Sequence, residues 1–278
     1  MNNHIRFAPV AQLSLDAFAD LFTRSFENYF YPGVTTAPIL AARTRFEQID
    51  LVRSLVMYVD DEPAGQAILA LRGMRAWCGG FGITAPFRGR GLAKNLIAAL
   101  IDQARQAGAE QFSLEVLTKN ERAIKAYLGA GLTITRDLHI FEWRRGDQPI
   151  PPAGASAPAA PAELLGHFAA LHAVGAAWQR DLPALLVKPG LQGLALRQGA
   201  DLVAYAVYSE REDTARIEDL AALQPEHAVP LLQALQARSA KVVSVNEPSD
   251  SPSAAAFARC GFQEVDRQHD MDMALTRQ

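Results

Sequence analysis

Pro86-Phe87-Arg88-Gly89-Arg90-Gly91-Leu92-Ala93-Lys94-Asn95-Leu96 follows an apolar, glycine-broken stretch from Trp77 to Ile83 and opens a strongly amphipathic pattern. Leu92, Leu96, Ile97, Leu100, Ile101 and Ala104 fall on one face of a helix. Helix starts normally carry Ser, Thr, Asp or Asn at the cap and acids in the first turn. This one has glycines at the turn and three cations, Arg88, Arg90 and Lys94, and no acid before Asp102. Cations beside the positive end of a helix dipole are unfavourable by roughly 0.3–1 kcal/mol each unless an anion sits there. Free backbone N–H groups, glycines that admit an oxygen and flanking cations together describe a phosphate cradle. A plain glycine-rich turn joining a strand to a helix is the structural alternative.

The P-loop pattern is not met, because no Gly-Lys-Ser/Thr follows at the required spacing. The dinucleotide fingerprint is half met: Gly89 and Gly91 fit, but Lys94 stands where a third Gly or Ala is wanted. An upstream hairpin also counts against an NAD(P) oxidoreductase. Downstream, a strand Phe112-Ser113-Leu114-Glu115-Val116-Leu117 is followed by Asn120-Glu121-Arg122-Ala123-Ile124-Lys125-Ala126-Tyr127-Leu128-Gly129-Ala130-Gly131-Leu132. Arg-Gly-Arg-Gly-Leu-Ala, then Leu-Glu-Val, Asn-x-x-Ala-x-x-x-Tyr and Gly-Leu, in this order and at these separations, resembles the GCN5-related N-acetyltransferase (GNAT) superfamily. The resemblance is close over residues 75–137 and holds in order of elements over 5–145.

The resemblance implies acetyl-CoA as co-substrate, no metal, and acetyl transfer to a primary amine of a small molecule or peptide N-terminus. It places the pyrophosphate on the backbone amides of Arg88, Gly89, Arg90, Gly91, Leu92 and Ala93. It places the pantetheine arm, like an added strand, at Phe81, Gly82 and Ile83, where two parallel strands splay, with Asn120 close by. Strand glycines mark bulges and close approach, although Gly79, Gly80 and Gly82 could equally relieve crowding. Asn120 also suits a helix cap. Tyr127 is the implied acid for the leaving thiolate, or else a core tyrosine with a satisfied hydroxyl. Glu115, twelve residues earlier, resembles the glutamate of the glutamate–tyrosine pair in GNAT enzymes that acetylate ribosomal-protein N-termini. It is the candidate base, against a solvated strand acid or a partner of Lys119 or Arg122, and a water chain could serve instead. Phe26, Tyr29, Phe30, Tyr31 and Pro32 would either line the acceptor pocket or dock the second half. A non-catalytic acyl-CoA-binding or regulatory protein of the same fold is the alternative function.

The 278 residues suffice for two modest domains, and 49% hydrophobic with 21% charged residues fits a globular protein with a sizeable core. A net charge of −3 argues against nucleic acid or anionic membrane as partner; an oligomer is left open. The polar N-terminus (Asn2, Asn3, His4), the lack of an apolar span and only two cysteines, Cys78 and Cys260, make a cytoplasmic protein the expectation. The histidines show no metal-ligand spacing; His167 and His172 fall on different helix faces.

Residues 146–162, rich in Pro, Ala and Gly, read as an extended linker. Before it, the pattern predicts strand, two helices, hairpin, strand 75–84, helix 90–107, strand 111–117, helix 120–129 and an antiparallel pair at 132–137 and 139–144. After it a similar order returns: a helix near 162–180, strands near 192–197, 202–208 and 215–221, a helix near 226–238, a strand from Lys241 and a helix Ser251–Cys260. Ala256-Phe257-Ala258-Arg259-Cys260-Gly261-Phe262 echoes Ala126 to Leu132. The expected fold class is therefore α+β, two tandem GNAT-like domains, each a mostly antiparallel mixed sheet flanked by helices. Residues 1–145 would be catalytic and 163–278 a degenerate copy: opposite the glycine loop stand Pro225 and Glu226, and opposite Tyr127 stands Phe257.

Overall fold

A computed structural model describes residues 4–31, 33–146 and 155–276. The chain folds as two compact units, Met1–Thr135 with Asp270–Gln278, and Arg136–His269. The unit boundary differs from the expected one at both ends: residues 136–145 go with the second unit, and the C-terminal segment goes with the first.

In the first unit β1 (Ile5–Pro9), β2 (Leu55–Val59), β3 (Glu62–Arg72) and β4 (Arg75–Ile83) run antiparallel in that order. β5 (Gln111–Leu117) joins β4 in parallel. The β2–β3 turn is tighter than its sequence implies. Asp60 and Asp61 adopt φ of 49° and 65°, and Val59 already pairs with Glu62, as a two-residue hairpin turn requires. α1 (Leu15–Ser25) starts at Ser14, whose hydroxyl accepts the Ala17 N–H at 3.2 Å. α2 (Ala37–Glu47) follows. β3 separates the two helical layers. Ala67 and Leu69 join the core of α3 (Leu92–Gln106), whereas Ile68 stands with Phe22 of α1 around Gly80. Leu92, Leu96, Ile97, Leu100, Ile101 and Ala104 are all buried, the face the periodicity predicts. α4 (Glu121–Gly129) completes the layer.

Where the sequence reads as a pair of strands around residue 138, there is one strand, β6 (Thr133–Arg144). Leu138, at the expected turn, is fully buried, and no residue of the strand has a positive φ. A reversal there would expose that side chain. β6 up to Thr135 belongs to the first unit and the remainder to the second. Thr133 and Thr135 donate through Oγ1 to the carbonyls of Asp272 and Asp270.

The second unit repeats the plan. β7 (Ala157–Pro158), β8 (Gln192–Gln198), β9 (Asp201–Arg211) and β10 (Thr214–Ala222) are antiparallel. The expected helix over 162–180 is instead α5 (Pro161–Leu165), α6 (Phe168–Leu171) and a 3-10 turn at Trp178–Arg180, followed by α7 (Leu182–Leu185). The Ala/Leu-rich run favours helix, but Gly166 caps α5 and His172 is extended after α6. α8 (Pro225–Arg238) leads to β11 (Lys241–Pro248), parallel to β10 and antiparallel to β6. α9 (Ala254–Arg259) precedes β12 (Gln263–Ala274), which from Asp270 onward belongs to the first unit. Of the expected linker, residues 147–154 lie outside the described residues. Its end is structured: Ala157 and Pro158 pair with Ala195 and Leu194, and Pro161 opens α5.

Candidate active site

β4 and β5 are paired only at Arg75–Gln111, Ala76–Phe112 and Trp77–Ser113. Beyond this point the two strands part, although β4 runs on to Ile83 and β5 to Leu117. The parting begins at a bulge. Ile68 of β3 faces Gly80 and Leu69 faces Cys78, so Gly79 is the extra residue. The other glycines here relieve crowding as well: a Cβ on Gly80 would lie 2.8 Å from the Phe22 ring, and one on Gly82 would lie 2.7 Å from the Ser25 Cβ.

At the end of β4 the glycine loop takes the shape its composition requires. Gly89 and Gly91 have φ of 78° and 76°, and Gly91 caps α3 in the left-handed region. A Cβ at either would meet no atom within 4 Å, so the loop opens onto free space. Among the described residues, the backbone N–H groups of Gly89, Arg90, Gly91, Leu92 and Ala93 have no backbone acceptor. Arg88 stands outside this set. Its N–H goes to the Ala85 carbonyl, and its guanidinium ties Ile83 O at 2.8 Å to Ser25 O at 3.2 Å. Arg90 turns back onto Pro86 O at 2.8 Å and the Phe87 ring. Two of the three cations thus brace the loop, and Lys94 is exposed on the first turn of α3. Five amides at a helix N-terminus, with no acid in its first turn, fit a pyrophosphate.

Tyr127 and Glu115 stand where the strands part. Tyr127, on α4, is 6% exposed and meets the Phe81 ring edge-on at 5.8 Å. Among the described residues nothing hydrogen-bonds its hydroxyl. Burial first, then Cys78 and Tyr29, holds the phenol well above the usual tyrosine range, so it keeps its proton. Glu115, on β5, accepts the indole N–H of Trp77 at 2.7 Å. Cys78 lies beside both: burial pushes its thiol up to about 12, with a backbone hydrogen bond at Gly80 opposing and Glu115 adding to the shift. A thiol so placed is protonated at neutral pH and a poor nucleophile. Asn120 caps α4, its side chain accepting the Ala123 N–H at 3.3 Å.

Motif reading alone missed Trp77 and Cys78, which lie in a strand that reads as core. Tyr29, one of the aromatics expected to line the acceptor pocket or dock the second half, comes from a distant loop. Tyr29 closes a chain of ring contacts from Phe22 through Phe26 and on to Phe30. The Lys119 ammonium lies 5.0 Å over Phe30 and 4.9 Å over Tyr31, both about half exposed. Pro32 lies outside the described residues.

The equivalent gap in the second unit is filled. β10 and β11 pair from Thr214–Lys241 to Ile217–Ser244 and then part, with the same bulge, here at Glu218. Arg180 occupies the β11 side of this gap, donating to Ser244 Oγ at 2.9 Å, Val245 O at 3.2 Å and Glu247 Oε2 at 2.6 Å. A cavity of about 20 Å³ remains beside His172, Arg180, Asp219 and Glu247, room for about one water. Pro225 opens α8 with Glu226 in its first turn. Phe257 is fully buried and stacks on Phe141 at 4.5 Å.

His172 gives this network a pH dependence. Nδ1 faces Phe168 O at 3.0 Å and Nε2 faces Asp219 Oδ1 at 3.1 Å, and both partners only accept. Burial lowers its pKa, but the hydrogen bond and charge of Asp219 and the Phe168 carbonyl outweigh burial and the opposing Arg180, so the net shift is upward. A raised folded pKa contributes stability that is complete below the unfolded value and lost as pH rises through the folded one. Urea midpoints should therefore fall as pH is raised above about 6.5, the ordinary histidine value. Asp219→Asn should flatten that slope; an unchanged slope would remove His172 as its source.

Among the described residues no helix is long and apolar enough to cross a membrane, and no three His, Cys, Asp or Glu side chains gather as metal ligands. The acetyltransferase (GNAT) family profile matches residues 15–131. The uncharacterized N-acetyltransferase YycN of Bacillus subtilis (strain 168) is 30% identical over 123 residues, which cover 44% of this chain and 69% of that protein. A second relative from the same organism, the uncharacterized N-acetyltransferase YdgE, is 40% identical over 55 residues, and the chain spans only 35% of its length. The chain belongs to the GNAT acetyltransferase family. Its two-unit fold is similar to a GCN5-related N-acetyltransferase from Sphaerobacter thermophilus, with a TM-score of 0.71 at 18% identity over 97% of this chain and 95% of that one. It is similar, too, to a tandem GNAT protein from the clavulanic acid biosynthesis pathway, with a TM-score of 0.66 at 15% identity over 98% of both chains. The fold class is that expected from the sequence, two tandem GNAT-like domains of mixed α+β structure.

Proposed function

We propose that the chain transfers an acetyl group from acetyl-CoA directly to a primary amine of a small molecule or peptide N-terminus. The site lies in the first unit, Met1–Thr135 with Asp270–Gln278, and the second unit is a degenerate copy. One observation carries this reading: the gap between β4 and β5 has free amides and open glycines at its end and Tyr127 and Glu115 at its start.

Bound acetyl-CoA would supply an activated thioester carbonyl and a thiolate leaving group. The N–H groups of Gly89 to Ala93 would hold its pyrophosphate, and the β4 edge at Phe81, Gly82 and Ile83 would accept its extended arm as an added strand. Asn120 keeps α4 in place and with it Tyr127. Glu115 would take the ammonium proton, directly or through water, and Tyr127 would deliver its own to the leaving sulfur. The burial that holds the phenol protonated also penalises a thiolate beside it, so the transfer compares two buried anions. Cys78, held as a thiol by burial, is a poor nucleophile at neutral pH, which favours direct transfer. Tyr29 beside Tyr127 supports the aromatic run as acceptor lining.

Titration calorimetry should report one acetyl-CoA per chain and no binding of NAD(P). At a hundred times its dissociation constant, acetyl-CoA should add about 2.7 kcal/mol in a thermal-shift assay. Gly91→Val should abolish binding while leaving the fold, because a β-branched residue resists φ of 76° and its methyls fill the open side of the cradle. Unchanged affinity in that variant would show the cradle is misassigned; two equivalent sites would overturn the degenerate copy. Release of free CoA thiol across a panel of primary amines and peptide N-termini then finds the acceptor. Binding without turnover of any amine would favour a non-catalytic acyl-CoA-binding protein.

A further inference from the structure

Gly79 is the extra residue of the β4 bulge, yet the bulge itself does not require glycine, since Glu218 occupies the same place in the second unit. What requires it is Trp77. A Cβ on Gly79 would lie 2.4 Å from Trp77 Cζ3, 3.0 Å from Cη2 and 3.1 Å from Cε3. The glycine is the seat of the indole. The seat is held from α2: Arg43 Nη2 donates to Gly79 O at 2.6 Å, and the guanidinium is itself fixed by Glu47. With the ring seated there, Trp77 is 2% exposed and directs its N–H onto Glu115 Oε2 at 2.7 Å. Trp77 sits in the last β4–β5 pair, and Glu115 lies two residues beyond it, inside the gap. In the second unit Arg216 and Val245 occupy the corresponding positions, so indole, glycine seat and carboxylate are replaced together.

We propose that Trp77 is a positioning residue. Its indole N–H fixes the Glu115 carboxylate toward the gap, and Gly79 is glycine so that the indole can reach it. The inference rests on the reading of Glu115 as the base. An indole N–H is a donor only, so it holds the carboxylate through Oε2 and takes no proton from it. Because the donor is a buried side chain on the neighbouring strand, its effect is on the orientation of the carboxylate.

A double-mutant cycle tests this, with turnover of the best amine of the panel followed as free CoA thiol. Trp77→Phe should lower kcat by about tenfold or more and leave acetyl-CoA affinity within about twofold. In the Glu115→Gln background, where no base remains to be oriented, Trp77→Phe should lower kcat no further. Gly79→Ala, which displaces the ring without removing it, should show the same dependence on Glu115 and serves if Trp77→Phe does not fold. An equal loss of kcat in both backgrounds would make Trp77 a packing residue and overturn the proposal, leaving Glu115 as base intact. Wild-type turnover in Glu115→Gln alone, or no turnover of any amine, would overturn the base assignment and this proposal with it.

Discussion

Tyr127→Phe should lower turnover by roughly 10²–10⁴, the loss expected for a positioned acid, and leave acetyl-CoA affinity nearly unchanged. The change removes one hydroxyl that, among the described residues, has no hydrogen-bond partner. No buried group is orphaned by its loss, and the ring keeps its edge contact with Phe81. The second unit shows that the fold accepts phenylalanine there, since Phe257 is fully buried at the matching place on α9. A drop in kcat with an unaltered thermal midpoint would thus be chemical in origin. The wild-type profile carries a second sign. Burial, Cys78 and Tyr29 hold the phenol well above 10, so the acid form persists across the accessible range and no basic limb should arise from Tyr127. Full turnover in the phenylalanine variant would end the assignment of Tyr127 as the acid.

The glycine loop was legible because its shape is set locally. Gly89 and Gly91 need positive φ, α3 needs a buried stripe, and both requirements show in consecutive residues. The motif order singles out Tyr127 and Glu115, and the structure brings each beside Cys78, which no motif singled out. Trp77 was hidden for a different reason. Within an apolar strand an indole reads as core, and only the register of the bulge shows that its N–H reaches β5. Arg180 was less legible still. It lies in a segment that reads as helix, and its partners Ser244, Val245 and Glu247 are more than sixty residues away.

β6 reads as two strands and the C-terminal segment reads as part of the second half, and both differences have a physical cause. A strand that serves one core along its whole length alternates cleanly, and a break in alternation reads as a turn. β6 changes units near Thr135 and β12 near Asp270, so the side chains of each strand answer to two cores. The pattern of each half is sound, but nothing in it says which half-strand pairs with which.

Removing residues 270–278 should therefore unfold the first unit, although the cut lies more than a hundred residues from its last helix, α4. Met271 is fully buried and Leu275 is 5% exposed, and both belong to the core cluster that contains Leu96, Leu100, Phe112, Leu114 and Tyr127. Truncating one such side chain to alanine costs about 2–5 kcal/mol, against a total stability of about 5–15 kcal/mol for a domain. Deleting the strand removes both side chains. It also removes the Gln111 to Asp272 hydrogen bond at 2.9 Å and the Leu275 N–H to Glu110 O bond at 2.7 Å, and leaves the edge of β5 unpaired. Met271→Ala alone should lower the urea midpoint of the first unit and weaken acetyl-CoA binding in proportion to the fraction unfolded. A fragment of residues 1–145 should aggregate, since it carries the motifs of the site but lacks a strand of its own core. Adding a synthetic peptide of residues 263–276 should restore part of its acetyl-CoA binding, measured by calorimetry, because the part of the strand from Asp270 onward belongs to that unit. A 1–145 fragment that is monomeric, soluble and fully active without the peptide would show that the first unit closes its sheet by itself.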